Sequence, residues 1–275
     1  MIVYSNFKFN SLKEMLSFYK MSNYNIKKLI YLKAIKVNDE VVEDIDYKLN
    51  NKDLIYIDEL LIKRNHYVPY KYDIKVLYED NDILLVYKPP FMLVHPDGNT
   101  NETLVNAVSY YYRNQDIVFE HLHRLDFETS GIVLFSKNIL VHSYLVNLFE
   151  NREVVKKYIC LCHGHFSKKQ GFVDEAIGKD RHSSNKQIVF KGGKAAYTKY
   201  EVLENGKLSK LLVEIKGGRK HQIRVHLSHI NHPIAGDKLY GVNDNFESLC
   251  LEFVYIKFIH PRTLRTFEYK LESEM

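Results

Sequence analysis

Beyond residue 74 the sequence is built from short apolar runs separated by turn residues, and few stretches are long enough for a helix. Residues 83–86 and 132–135 are unbroken apolar runs of the kind that forms buried strands. Strand-like runs recur at 158–162, 195–203, 211–215, 249–259 and 266–271. Helical patterns occupy only 102–112, 139–149 and 221–230. Strands and helices do not alternate regularly, which argues against a wound parallel sheet. The pattern predicts an α+β fold with a mainly antiparallel mixed sheet.

The first sixty residues follow a different rhythm. Residues 11–30 read as two short helices, with Leu12, Met15 and Leu16 apolar on the first and Ile26, Leu29 and Ile30 on the second. Ile35 and Val37 lead into Asn38-Asp39, and Val41-Val42 returns, which is a hairpin signal. Residues 54–57 make another short strand. The polar, basic and aromatic stretch LIKRNHYVPYKYD reads as a linker. The expected organisation is a small helix-and-hairpin module at 1–60, a linker at 61–73 and a larger domain at 74–275.

Charge narrows the partners. With 39 Lys and Arg against 34 Asp and Glu, the net charge is +5, a mild bias toward polyanions. The basic residues fall in three groups. Lys27, Lys28, Lys33 and Lys36 lie in the small module; Lys179, Arg181, Lys186, Lys191 and Lys194 precede Tyr197; Arg219, Lys220 and Arg224 lie in GGRKHQIRVH. One such group is usually a solvated face. Three, with Tyr and His interspersed, point to nucleic acid.

Three cysteines give no disulfide framework. Cys160 and Cys162 share one face of a predicted strand and Cys250 lies in another apolar run. All three read as reduced packing residues, and a cytoplasmic location is expected. The opening MIVYSNFKFN lacks a basic region followed by an apolar core, so no secretory signal is expected. No apolar run approaches membrane-spanning length.

The most chemically suggestive stretch is HLHRLDFETSGIVLFSKN, residues 121–138. Asp126 stands just before a buried strand. It is either an ordinary turn residue or a carboxylate held in a half-dry place. Histidines at 121, 123, 163, 165, 221, 226, 229 and 232 suggest metal ligands. They lack a His-Glu-x-x-His helix, a paired CxxC or a completing carboxylate, so no metal is expected. Gly192-Gly193 and Gly217-Gly218 do not match phosphate loops. Ser130 lacks the preceding glycine of a nucleophile elbow.

Four separated segments together resemble the RluA-type pseudouridine synthases. VYKPPFMLVHP, residues 86–96, is similar to their "NKP-x-G-hydrophobic-HP" segment, with Pro90-Phe91 in place of a small residue and glycine. HRLDFETSG, residues 123–131, matches the HRLD-x-x-TSG motif. KKYICLCHG, residues 156–164, resembles the segment of the active-site tyrosine. GGRKHQIRVHLSHINHPIAGDKLYG, residues 217–241, resembles the "GR-x-HQIRVH … HPI-x-GD-x-x-YG" block. Order and spacing fit over residues 74–260. The small module resembles an S4-type RNA-binding domain, more loosely.

The resemblance implies a pseudouridine synthase-type catalytic domain that isomerises uridine in RNA. The N–C glycosidic bond is cleaved, the uracil turns and a C–C bond forms. No cofactor is needed for this chemistry. Asp126 is implied as the catalytic aspartate, by covalent attack or as a general base. Arg224 is implied as the cation that keeps it charged. Tyr158 corresponds to the tyrosine that stacks on the base. Arg124 is expected to fill the space that the flipped nucleotide leaves. Lys27, Lys28, Lys33, Lys36, Arg219, Lys220 and His221 are expected RNA contacts. The expected substrate is ribosomal RNA, with tRNA as the alternative, and the protein is expected to act as a monomer. Departures occur at Gly217 and Lys220, and at Leu251-Glu252-Phe253, where the family has "LHA". The rival reading is a non-catalytic RNA-binding or ribosome-assembly protein on the same fold. A metal-dependent hydrolase is a more distant third.

Overall fold

The computed structural model describes residues 2–5, 8–62, 67–183, 185–273 and 275. Residues 63–66 of the expected linker lie outside the described residues, as do 1, 6 and 7 of the expected module. The N-terminal body contains strand β1 (Ile2–Ser5), helices α1 (Leu12–Phe18) and α2 (Asn23–Tyr31), and strands β2 (Ile35–Val37), β3 (Glu40–Val41) and β4 (Leu54–Ile57). Its antiparallel sheet runs in the order β1-β4-β2-β3. Ser11 and Ser22 cap the two helices by accepting from the Glu14 and Asn25 amides. Asn38 and Asp39 both take left-handed backbone angles, as a tight hairpin turn requires. Leu12, Leu16, Leu29, Ile35, Ile55 and Ile57 are fully buried between helices and sheet. The sequence reading assigned no strand to residues 2–5; pairing with β4 creates one.

The second body has one large sheet. Its strands begin with β5 (Lys75–Glu79), β6 (Ile83–Lys88), β7 (Glu120–His121), β8 (Ser130–Ser136), β9 (Val155–His163) and β10 (Gln170–Asp174). A separate hairpin, β11 (Ile177–Lys179) with β12 (Gln187–Val189), interrupts the series. The sheet resumes with β13 (Tyr197–Glu204), β14 (Leu208–Lys216), β15 (Leu251–Ile259) and β16 (Thr266–Lys270). The main path is β10-β13-β14-β9-β15-β8-β6-β5. Every pairing is antiparallel except β15 with β8. Helices α3 (Leu104–Tyr111), α4 (Ile139–Glu150) and α5 (Gln222–His229) complete the body. The fold is therefore α+β with a mainly antiparallel mixed sheet, as expected. Cys160 and Cys162 do share a face of β9, with their sulfurs 3.6 Å apart in the core. No helix among the described residues is long and apolar enough to cross a membrane.

The two bodies are joined by packing. Ile139 and Leu140 of α4 belong to the core of the N-terminal body. Buried Glu59 accepts the Ile139 amide at 2.8 Å, at the N-terminus of α4. Arg262 lies over the Tyr4 ring at 4.2 Å and forks onto Asp82. Residues 67–73 are strapped to α3, where the Tyr70 amide donates to Asn106 and Ser109 donates to the Tyr67 carbonyl. Tyr67, Tyr70 and Tyr72 of this expected linker pack on the core of the second body.

Candidate active site

One row of residues crosses the large sheet and organises the site. Lys88 on β6 pairs with Gly131 on β8, Gly131 with Phe253 on β15, and Phe253 with Tyr158 on β9. Residues opposite one another in a sheet present the same face. The row thus aligns Lys88 and Tyr158 across two intervening strands. Gly131 has φ of +118°, and a Cβ there would lie 2.3 Å from the Phe253 carbonyl oxygen. Only glycine permits this close approach. The Tyr158 ring stacks on Phe253, with centroids 4.7 Å apart and planes 20° apart. Burial raises the Tyr158 phenol above its ordinary value, and the Asp126 charge adds to the shift.

The segment before Gly131 carries Asp126, and it is held at several points. The Leu122 amide donates to the Leu134 carbonyl, and the Leu134 amide donates to His123 Nε2 at 3.2 Å. The Thr129 amide closes the turn on the Asp126 carbonyl at 3.1 Å. From below, Lys88 is fully buried and donates to the carbonyls of Pro89, Met92 and Phe127. Burial pushes its ammonium down to about 7, against the opposing pull of Asp126. The Phe127 carbonyl also accepts the Phe91 amide at 2.8 Å. Phe91 has φ of +62°, so the backbone keeps the glycine-like shape that the related motif predicts. For a side-chain-bearing residue that shape costs roughly 1–2 kcal/mol.

The Asp126 carboxylate is 24% exposed and faces a cavity of about 370 Å³. Tyr158, Ile215, Leu251 and Thr129 supply wall residues, together with the start of α5. Across the cavity stands Arg224, almost fully buried on α5. Its first partner is Asp237, which it binds in a two-pronged fork at 2.7 and 2.8 Å. Glu128 lies at 3.2 Å and Asp126 only at 3.7 Å. Arg224, implied as the cation for Asp126, is thus one guanidinium shared by three carboxylates. Burial would lower the Arg224 value, but the Asp237 hydrogen bonds outweigh it and raise it. Burial likewise opposes ionisation of Asp237, while Arg224 and the Leu239 and Tyr240 amides hold it below its ordinary value.

A sequence model described as RNA pseudouridylate synthase matches residues 82–229. The chain belongs to the RNA pseudouridylate synthase family. It is 34% identical to the "Uncharacterized RNA pseudouridine synthase YhcT" of Bacillus subtilis, over 83% of this chain and 78% of the relative. It is 32% identical to the "Ribosomal large subunit pseudouridine synthase D" of Escherichia coli, over 84% and 71% respectively. Among solved structures it resembles "Human RNA Pseudouridylate Synthase Domain Containing 1" with a TM-score of 0.64 and 25% identity, covering 73% of this chain and 84% of that one.

In this synthase the candidate residues separate by place. Asp126, Tyr158, Arg224, Arg124, Arg219, Lys220 and His221 all line the one cavity. Arg124 is exposed at it, as is Lys220. The Arg219 guanidinium is tied back to the Ala195 carbonyl at 3.3 Å. Lys27, Lys28, Lys33 and Lys36 lie apart on the N-terminal body. Lys28 donates to the Ile62 carbonyl and Lys33 pairs with Glu43. Sequence reasoning missed Lys88, Asp237, Tyr240 and Phe253. Three of these stood inside quoted motifs, but no spacing rule said what they would touch.

The suggestive histidines do not assemble. His163 binds Asp244, His226 binds Thr198 and His221 binds Tyr240. Among the described residues, the group with metal-like geometry is Asp80, Asp82 and His260, and Arg262 already occupies the Asp82 carboxylate.

Proposed function

We propose that this synthase isomerises uridine in ribosomal RNA, with Asp126 as the carboxylate that acts at the glycosidic bond. The observation that carries the reading is Asp126 itself. It is half-buried at a cavity with Tyr158 and Arg224, and its own charge partners stand no closer than 3.7 Å. A carboxylate forked onto a cation has its outward lone pairs taken; with its cations at 3.7 Å and beyond, those of Asp126 stay open to a substrate. The cavity volume lies at the lower end of small-ligand sites, which suits one extruded nucleotide. Tyr158 is backed by Phe253 on one face of its ring, so its other side is available to the base. Arg224, fixed in place by Asp237, presents its guanidinium edge to the Asp126 side of the cavity. Arg124, Arg219 and Lys220 at the cavity suit the phosphates on either side.

Ribosomal RNA is the favoured substrate because several relatives bear the name ribosomal large subunit pseudouridine synthase D. The N-terminal body, read as an S4-like module at residues 1–60, serves as the second RNA contact. The reading includes a monomer acting in the cytoplasm. Mapping pseudouridines in ribosomal and transfer RNA from cells with and without the gene tests the whole assignment. The expected result is the loss of one or a few pseudouridines from ribosomal RNA. Loss confined to tRNA would overturn the substrate, and no loss in either would overturn the reaction.

A further inference from the structure

His221 sits at the N-terminus of α5 with a left-handed backbone, φ of +56°. A residue with a side chain adopts this shape at a cost, and such strain gathers at functional positions. Its Nδ1 lies 2.7 Å from the Tyr240 hydroxyl oxygen. That same oxygen accepts the backbone amide of Gln187, on β12, at 2.7 Å. Its Nε2 faces the cavity, 3.9 Å from Asp126 Oδ1. The Arg224 guanidinium lies over the other participant, the Tyr240 ring, at 5.3 Å.

One direction of these bonds satisfies every group from within the protein. The Gln187 amide can only donate, so the Tyr240 oxygen accepts from it. If Nδ1 also donated to that oxygen, the phenol hydrogen would have no acceptor among the described residues. If the phenol donates to Nδ1, every group in the chain is satisfied. Nδ1 is then an acceptor without a proton. In a neutral imidazole the proton must be on Nε2, the nitrogen that faces Asp126.

We infer that His221 is a fixed-tautomer hydrogen-bond donor to the bound uridine, set by the Gln187–Tyr240 relay. Its Nε2–H meets an oxygen of the nucleotide beside the glycosidic bond, next to Asp126. Burial pushes the imidazole below its ordinary value, against the pull of Asp126, and the charges of Arg224 and Lys220 lower it further. The ring therefore donates without bringing a full positive charge next to Arg224. The role is narrower than the general RNA contact expected from sequence. It also gives the β11–β12 hairpin a function: its Gln187 amide fixes the tautomer of a residue in the cavity.

This inference rests on the proposed reaction, so one measurement is independent of activity. Nitrogen-15 NMR of the full-length wild-type protein should show His221 Nε2 protonated and Nδ1 bare, with the signal assigned by its loss in His221→Gln. Tyr240→Phe should mix the two tautomers. A wild-type ring protonated on Nδ1 overturns the relay whether or not the protein is active. The second measurement is single-turnover pseudouridine formation on unmodified ribosomal RNA transcribed in vitro, at saturating RNA. His221→Ala should slow it by about 100-fold, the scale for removing one preorganised donor. His221→Gln places an amide N–H near the Nε2 position and should recover most of that loss. Tyr240→Phe should fall between them, while RNA affinity changes by less than about twofold in all three, since no charged group is lost. If His221→Ala keeps its rate and instead loses affinity in a salt-dependent way, His221 is a phosphate contact and the inference is wrong. A wild-type protein that forms no pseudouridine sinks the proposed reaction instead, and the tautomer still decides the relay.

Discussion

The cavity and the N-terminal body use the same kinds of charge in opposite ways. At the cavity, the Arg224 side chain in its wall and the Asp237 side chain behind it are 3% and 0% exposed and locked in a fork. On the N-terminal body, Lys33 and Glu43 form a pair at 2.8 Å with side chains 62% and 58% exposed. An exposed pair contributes little and is screened by salt. A buried pair is costly to form and costlier to break, but it fixes direction. The difference teaches where to look for chemistry and where for affinity. On the proposed reading, charges that the fold has dried and aimed act on the nucleotide, and charges left in water set how strongly the RNA is held and at what ionic strength.

The comparison is broken most directly at Asp126. Asp126→Asn keeps size and shape, and the native side chain has no charge partner closer than 3.7 Å. The fold should therefore tolerate the change. Single-turnover pseudouridine formation should fall by about a thousandfold or more, the scale for losing a catalytic carboxylate. The denaturation midpoint should stay where it was. If the variant converts uridine at near the wild-type rate, the aspartate is a turn residue and the cavity is not the reaction centre.

Arg224 inverts that balance. Arg224→Met leaves the Asp237 carboxylate buried without its fork, and breaking a buried pair from one side costs about 3–5 kcal/mol. A large drop in stability should accompany the loss of rate. Adding Asp237→Asn removes the stranded charge and keeps an acceptor for the Leu239 and Tyr240 amides. The double variant should regain much of the stability and none of the rate. Urea denaturation and single-turnover assays on the same samples read the two effects apart. Recovery of rate in the double variant would make Arg224 a structural brace only.

The joint between the bodies gives a pH-dependent effect, on stability rather than on rate. Burial raises the Glu59 carboxyl from its ordinary 4.5 to about 8, although the Ile139 amide partly offsets this. A carboxyl with a raised folded value is protonated in the fold between those limits, where the unfolded chain has released its proton. Its contribution is fully present below about 4.5 and is lost as pH rises through about 8. Glu59→Gln keeps an acceptor for the Ile139 amide and has no proton to lose. The stability difference between Gln and wild type should grow in favour of Gln from pH 5 to pH 8 and then level off. Denaturant midpoints across that range check it. A difference that is flat with pH would show that Glu59 stays ionised in the fold.

Much of this was legible in the sequence, and the gaps share a cause. Runs such as 132–135 and 158–162 announced their strands because apolar continuity is a local signal. Leu12, Met15 and Leu16 announced a buried helix face for the same reason. The HRLDFETSG stretch marked Asp126, and the resemblance named its partners. The sequence did not reveal that Arg224 would bind Asp237 first, because a loop-and-helix segment spanning a separation of thirteen positions must close before the two meet. It did not reveal the row from Lys88 to Tyr158, because register between distant strands is a property of pairing. The β11–β12 hairpin was hidden among lysines, in a stretch too polar to show alternation. In each miss, a contact between distant segments decided the role of a residue whose type was already plain.

The smallest expected effect belongs to the N-terminal lysines, and it sharpens the comparison most. Lys28 is a poor probe because its ammonium already holds the Ile62 carbonyl at 3.0 Å, so removing it disturbs the N-terminal body itself. Lys33 is partly neutralised by Glu43. Lys27 and Lys36 are both exposed, on α2 and β2. If they meet phosphate, each releases about one counterion on binding, so Lys27→Ala with Lys36→Ala should flatten the slope of log affinity against log salt by about two units. Affinity should fall at low salt and converge with wild type as salt rises. The rate at saturating RNA should not change, since neither ammonium approaches the cavity. Filter binding from low to moderate salt, paired with single-turnover rates, separates the outcomes. An unchanged slope would mean that this face does not touch RNA, and the binding role would pass to Arg124, Arg219 and Lys220 at the cavity. A changed rate at saturation would be the more disruptive result. It would mean that the N-terminal body acts on the Asp126 cavity through α4, and that the division between dried and solvated charge is not a division of labour.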